Sequence, residues 1–377
     1  MSLLLAKERL VIEEYFPGLD DKLASFTFME RESQGNECMD LIKHMGVPSL
    51  MIPKEYGGKG ASALDAIYIQ RAIGSRSPSL AIALTMHQFS VASLIGAISV
   101  QPELERILTM IAEENLLLAS GFAEGISQNI FSPTVEAMPV TGGIIVNGRK
   151  KPCTLSHTMD LLTASVKLPN DQLAIIIIPS STPGIKVNDF WNHWILKGTD
   201  THEVILEDVF VSNENIFHAG TEQNVSPVIM NGLIWFELLA TASYIGVVSS
   251  MVEKVLQSNK APNLDKMHDL TADLVQAMNS LEGLAYKFIN NQFLDFLLNE
   301  VLMVRDSIER KIEQISTQSA KLLGGMNFLT SLDTSYLLLV SQLLTFHPPS
   351  KQDCLALFEQ YIHGSESQQV NEPTVIK

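Results

Sequence analysis

Residues 46–60 read Gly46-Val47-Pro48-Ser49-Leu50-Met51-Ile52-Pro53-Lys54-Glu55-Tyr56-Gly57-Gly58-Lys59-Gly60. The segment from Ile52 to Gly60 is a turn, because proline cannot donate its backbone hydrogen bond and the glycines permit positive φ. What flanks this turn is helical. Apolar residues recur at three- and four-residue spacing over Leu3 to Tyr15, Phe28 to His44, Leu64 to Gly74 and Leu104 to Glu113. Other turn signals are sparse before residue 120, as expected of packed helices.

Beyond residue 120 the period changes. Gly143-Ile144-Ile145-Val146-Asn147-Gly148 reads as a strand entering an Asn-Gly turn. Ala174 to Pro179 is a continuous apolar strand, and Val204 to Val211 holds another rich in β-branched residues. Strands joined by short polar turns, with no helices between them, imply an antiparallel sheet or barrel. From about 226 the helical period returns in Ile234 to Val255, Asp269 to Asn290, Phe293 to Lys311 and Ile312 to Leu323, lengths that suit a four-helix bundle. The expected chain is therefore mostly α with a central β-domain: an N-terminal helical domain (1–120), a middle antiparallel β-domain (121–225), a C-terminal bundle (226–363) and a polar, flexible tail (364–377).

Composition narrows the function. The 377 residues carry a formal charge of −16, which argues against a nucleic-acid groove. Hydrophobic content of 46% with only 18% charged residues describes a large apolar interior or a buried subunit interface, with a mean hydropathy of +0.15. No uninterrupted apolar run approaches the roughly 18 residues of a membrane helix, and the first residues lack a signal-peptide pattern, so a soluble cytoplasmic protein is expected. Cys38, Cys153 and Cys354 show no metal or disulfide spacing, and the nine histidines contain no His-x-x-x-His pair, so metal chemistry is not expected.

One carboxylate stands out. Glu237 lies within the apolar run Ile234-Trp235-Phe236-Glu237-Leu238-Leu239-Ala240. In such surroundings ionisation is costly, the pKa rises, and the group suits proton abstraction next to a carbonyl. The competing reading is a helix-face glutamate that reaches solvent or a neighbouring donor. Arg149-Lys150-Lys151 is the sharpest basic cluster, read either as a solvated hairpin tip or as a contact for coenzyme A phosphates or an acidic carrier. His193 between Trp191 and Trp194 reads as packing, and His202 beside Glu203 as a surface pair.

Several of these words, in this order, resemble the acyl-CoA dehydrogenase family over nearly the whole chain. Residues 46–60 resemble its "G-x-x-x-x-x-I-P-x-E-Y-G-G-x-G" word, Phe122-Ala123-Glu124 its "T-E-P" segment and Asn147-Gly148-Arg149-Lys150 its "N-G-x-K" turn. Leu206 to Val211 resembles its "F-x-D-V-x-V" strand, and Ala320 to Phe328 its Gly-Gly loop. The resemblance implies a helical domain, a β-barrel and a four-helix bundle, with FAD as cofactor and assembly into dimers or tetramers. It implies oxidation of an acyl thioester, on coenzyme A or an acyl carrier protein, with Glu237 as α-proton base. It further implies that Phe122, Glu124, Asn129, Thr154, Gly324 and Gly325 bind the cofactor, and that His87, Phe89 and Tyr244 line the substrate site.

The departures fall at cofactor positions. The family's "W-I-T/S-N" word appears as Pro152-Cys153-Thr154-Leu155, and its "G-S-D" segment as Gln128-Asn129-Ile130. The "R-x-x-F-G" loop is Ser258 to Asn263, Lys321 replaces a glutamine, and the "E-G-T" word is Phe346-His347-Pro348-Pro349-Ser350. Two further readings follow from these changes: a flavin-free protein that binds an acyl thioester or carrier, and a flavin monooxygenase on the same fold.

Overall fold

The computed structural model describes residues 3–125, 133–221, 224–225, 227–258, 263–291 and 294–363. The turn at 46–60 folds as two short 3-10 segments, Val47–Ser49 and Lys54–Tyr56. The chain doubles back so that the N–H groups of Lys59, Gly60 and Ala61 donate to the carbonyls of Ser49, Ile52 and Leu50. At Gly58 the approach is so close that a Cβ would lie 2.0 Å from the Ile52 carbonyl oxygen, so only glycine fits.

The helices of this region are Ala6–Tyr15, Leu19–Ser25, Phe28–Glu32, Cys38–His44, Ala63–Arg76, Pro78–Ala97 and Leu104–Glu114, of which Cys38–His44, Pro78–Ala97 and Leu104–Glu114 pack against the turn. The run expected over Phe28 to His44 is two helices. Asn36 accepts from the Cys38 N–H and donates to the Ser33 carbonyl, which stabilises a turn in the middle. Ser62 and Asp65 form a reciprocal cap on Ala63–Arg76, and Ser77 caps the helix that opens with Pro78.

The middle of the chain forms a nine-stranded sheet: β1 (Leu118–Gly121), β2 (Glu136–Val140), β3 (Gly143–Cys153), β4 (Leu161–Lys167), β5 (Gln172–Pro179), β6 (Ile185–Asn188), β7 (His202–Ser212), β8 (Ile216–Thr221) and β9 (Asn224–Val225). Its order is β6-β7-β3-β2-β4-β5-β8-β9, with β1 beside β4. The sheet is mixed where an antiparallel one was expected, because β1 pairs parallel to β4 and β2 meets β4 in the same sense. The Asn147-Gly148 turn is also corrected. β3 runs straight through it with a bulge, where a Cβ on Gly148 would lie 2.7 Å from Val135 Cγ2.

Three long helices follow, Pro227–Gln257, Leu264–Ile289 and Leu294–Leu323, completed by Leu332–Val340 and Lys351–His363. The last two expected helices are one, since nothing between Phe293 and Leu323 interrupts helical hydrogen bonding. Pro78–Ala97 and Ile229–Gln257 are long and apolar enough to cross a membrane by length and composition alone, although polar residues interrupt both. Most of both is buried inside the fold, 72% and 94% of the apolar window, so their hydrophobicity is used in helix packing. Tyr336 joins the three regions: its hydroxyl donates to buried Glu32 at 2.6 Å and accepts from the Leu196 N–H at 2.8 Å.

Candidate functional site

Helix Pro78–Ala97, the sheet and the bundle enclose a cavity of about 1030 Å³. Met86, Phe89, Ser90 and Ser93 supply one wall at three- and four-residue spacing along their helix. Phe122, Pro152, Thr154, Thr163, Thr199 and Thr201 supply the sheet side, the loop after β6 adds Trp191 and His193, and the bundle adds Leu233, Phe236, Tyr244, Gln342, Phe346 and His347. Phe89 touches both Phe122 and Phe236, with ring centroids 6.3 and 5.4 Å apart. None of the described residues lining the cavity is an aspartate, glutamate, lysine or arginine.

Two hydrogen-bonded networks stand out among the polar groups of the wall. On the sheet side the hydroxyls of Thr154 and Thr201 lie 2.9 Å apart, and that of Thr199 is 2.7 Å from Thr201. On the bundle side Tyr244 Oη and His347 Nε2 lie 2.9 Å apart. Burial, reinforced by the Arg305 charge, lowers the His347 pKa to about 4, so its ring is neutral. Burial pushes the Tyr244 phenol far up, so it keeps its hydrogen, and which of the two groups donates follows from the imidazole tautomer.

The segment bearing His347 is held from behind. Arg305 donates to the carbonyls of Leu344 (2.7 Å), His347 (2.9 Å) and Pro349 (3.1 Å). Its Nε lies 3.1 Å from Glu237, at ion-pair distance but without the angle of a hydrogen bond. Burial raises the Glu237 pKa to about 7 against the opposing effect of Arg305. Glu237 is only 1% exposed and is not among the residues lining the cavity, whereas its helix neighbours Phe236 and Tyr244 are.

The other sequence candidates divide. Phe89, Phe122, Thr154 and Tyr244 line the cavity. His87 does not: it bridges the Pro48 carbonyl (2.9 Å) and the Leu118 N–H (3.0 Å), a core histidine whose pKa burial lowers to about 4. Glu124 accepts from buried Lys150 at 2.6 Å and from Thr134, and also lies off the cavity. Gly324 and Gly325 break the helix after Leu323, away from the cavity wall, and Asn129 lies outside the described residues.

The basic cluster is not a hairpin tip. Its residues sit within β3, with Lys150 fully buried and Arg149 paired to Glu203 at 3.2 Å. His202 and Glu203 are likewise buried, contrary to the surface pair expected. Sequence reasoning missed Arg305, whose only signal was a cation among the apolar positions of its helix.

Residues 19–114 match the acyl-CoA dehydrogenase N-terminal domain family. The chain is 37% identical over 364 residues to isobutylamine N-hydroxylase of Streptomyces viridifaciens, spanning 93% of this chain and 96% of that protein. Among solved structures, butyryl-CoA dehydrogenase from Megasphaera elsdenii superposes with a TM-score of 0.83 at 16% identity, covering 96% of this chain and 99% of the other. KijD3 in complex with FMN and an amino-keto sugar nucleotide gives 0.79 at 16% identity, covering 97% and 95%.

Proposed function

Since the chain belongs to the acyl-CoA dehydrogenase family, we propose that it is a flavin-dependent monooxygenase that hydroxylates the nitrogen of a small apolar primary amine. The observation that carries this reading is the cavity wall, which offers many apolar side chains and hydroxyls and, among the described residues, no carboxylate.

The cofactor is a flavin, and the residues present fit one. The cavity is at the upper end of the roughly 300–1,000 Å³ range typical of small-molecule sites. Phe122 and Pro152 offer apolar contact, and the hydroxyls of Thr154, Thr199 and Thr201 offer hydrogen bonds to ring heteroatoms. Reduced flavin supplies two electrons, so that one atom of O2 enters the amine, which becomes a hydroxylamine, and the other leaves as water.

The chain's own residues select the substrate and its protonation state. An ammonium ion would find no counter-charge on the described cavity wall, so desolvation favours the free amine, whose lone pair is the nucleophile. Tyr244, fixed by its hydrogen bond to His347, places a phenol oxygen to accept an amine N–H and orient the nitrogen. Arg305 and Glu237 act one layer behind, holding the backbone that carries His347. Met86, Phe89 and Phe236 favour a short branched alkyl chain. Exposed Met326, Phe328, Leu329, Leu332 and Phe346 support assembly into a homo-oligomer.

A second reading, dehydrogenation of an acyl thioester on coenzyme A or a carrier protein, is favoured by one observation. Glu237 has a pKa near 7, as a base for an α-proton requires. It also needs that carboxylate to reach the cavity. One experiment separates the two. With reduced flavin, air and isobutylamine, the first reading expects the hydroxylamine in the mass spectrum. With oxidised flavin and no air, bleaching by an acyl thioester, and no hydroxylamine in the first mixture, would establish the second.

A further inference from the structure

Behind the sheet wall of the cavity, three segments bring His157, Asp189 and His202 together. Asp189 Oδ1 lies 3.3 Å from His157 Nε2 and 3.5 Å from His202 Nδ1, and the three ligand atoms fall within 4.8 Å of one another. Two donor atoms bound tetrahedrally to zinc at about 2.0–2.1 Å stand roughly 3.3–3.5 Å apart. The two contacts to Asp189 match that spacing.

The surroundings prepare both rings for coordination. Asp200 is buried and lies 2.7 Å from His157 Nδ1. A carboxylate can only accept there, so Nδ1 carries the hydrogen, and a cation seated between Nε2 and Asp189 would take the place of any hydrogen on Nε2. On His202, Nδ1 accepts a long 3.4 Å contact from the Phe190 N–H, which a cation at this nitrogen would have to displace. Its Nε2 lies 3.1 Å from Gln34 Nε2, so the ring donates there only with that amide flipped to present its oxygen. A histidine whose second nitrogen is anchored by a carboxylate or amide is the arrangement that orients metal ligands.

We propose that His157 Nε2, Asp189 Oδ1 and His202 Nδ1 form a binding site for one zinc-class divalent cation, with the fourth position open to solvent. The two-histidine, one-carboxylate donor set suits zinc and also other imidazole-binding divalent metals such as iron(II). The side chains of His157 and Asp189 are 43% and 70% exposed, which gives the ion a path, and that of His202 is 5% exposed, which gives the site a fixed base. Asp189 begins the loop that carries Trp191 and His193 to the cavity. A bound ion would therefore clamp that loop to β7 and to the turn before β4.

The test is direct titration of the full-length, flavin-loaded protein, stripped with chelator, with zinc chloride in competition with a chromophoric chelator. One equivalent is expected to bind to the parent protein, with at least about tenfold weaker binding in Asp189→Asn and His157→Ala. The exposed His268→Ala variant should bind as the parent does. Circular dichroism and melting temperature show that each variant is folded. No stoichiometric binding, or equal binding by folded Asp189→Asn and His157→Ala, would overturn the proposal and leave the cluster as hydrogen-bonded ion pairs.

Discussion

Glu237 stands 3.1 Å from Arg305 Nε inside the bundle, with neither carboxylate oxygen hydrogen-bonded to any described group. The same guanidinium spends its other nitrogens on three carbonyls of the segment 344–349. The pair thus couples the helix bearing Tyr244 to the strap bearing His347. Its energetic meaning depends on both members: each alone is a buried charge, and together they offset much of the desolvation that each would otherwise suffer.

Removing one member should therefore cost far more than removing both. At pH 8, Arg305→Met is expected to lower stability by about 3–5 kcal/mol, because Glu237 loses its counter-charge and must stay charged in the core or take up a proton that the unfolded chain lacks at this pH. In an E237Q background the same change should cost at least about 1 kcal/mol less. Urea unfolding of the four proteins measures this. Strictly additive losses would show that the pair is not coupled.

The pH dependence has a defined sign. The Glu237 pKa is raised from 4.5 to about 7 on folding, so between those values the native state holds a proton that the unfolded chain has lost. That contribution to stability is present below pH 4.5 and disappears as pH rises through 7, on the order of 3 kcal/mol in all. His87 and His347, lowered from 6.5 to about 4, act oppositely and lose stability as pH falls through that interval. The difference in unfolding free energy between parent and E237Q isolates the first term. A difference constant from pH 4.5 to 8 would contradict it.

Thr154→Val should weaken flavin binding without unfolding the chain. The substitution keeps the shape but leaves the Thr201 hydroxyl without its 2.9 Å partner on the cavity wall. Loss of one such network is expected to raise the flavin Kd about tenfold, near 1.4 kcal/mol. Fluorescence titration reads this, and an unchanged Kd would remove the threonine network from the flavin contact.

Gly58→Ala tests the turn on which the sequence reading began. The new methyl group meets the Ile52 carbonyl, which is itself fixed by the Gly60 N–H at 2.8 Å. A loss above about 3 kcal/mol is expected, since backbone must move to relieve the contact. A melting temperature within about 2 °C of the parent would mean the turn is not as tight as described.

Much of the architecture was legible because periodicity reports burial on one face. Leu104–Glu114 and the long helices after residue 226 carry that pattern. Pro78–Ala97 was hidden for the opposite reason, being apolar on nearly all sides and buried in the middle of the fold. Gly148 looked like a hairpin tip, although a Val135 side chain packed against β3 is what demands glycine there. In the site, Thr154 and Phe122 were readable from their place in the chain, and Met86 and Phe89 share a face by helical spacing. The partner of Glu237 was not readable, because Arg305 sits two helices away and only packing brings them together. The cluster of His157, Asp189 and His202 escaped for the same reason.

The most direct test of the account is a single turnover of E237Q with reduced flavin, isobutylamine and 18O2, followed by mass spectrometry. If the amine is oxygenated in a cavity that Glu237 does not enter, labelled hydroxylamine should form within about tenfold of the parent rate, a loss no greater than a positioning role allows. Loss of activity by about 10⁴-fold in a folded, flavin-loaded E237Q would place the carboxylate in the chemistry and contradict the account.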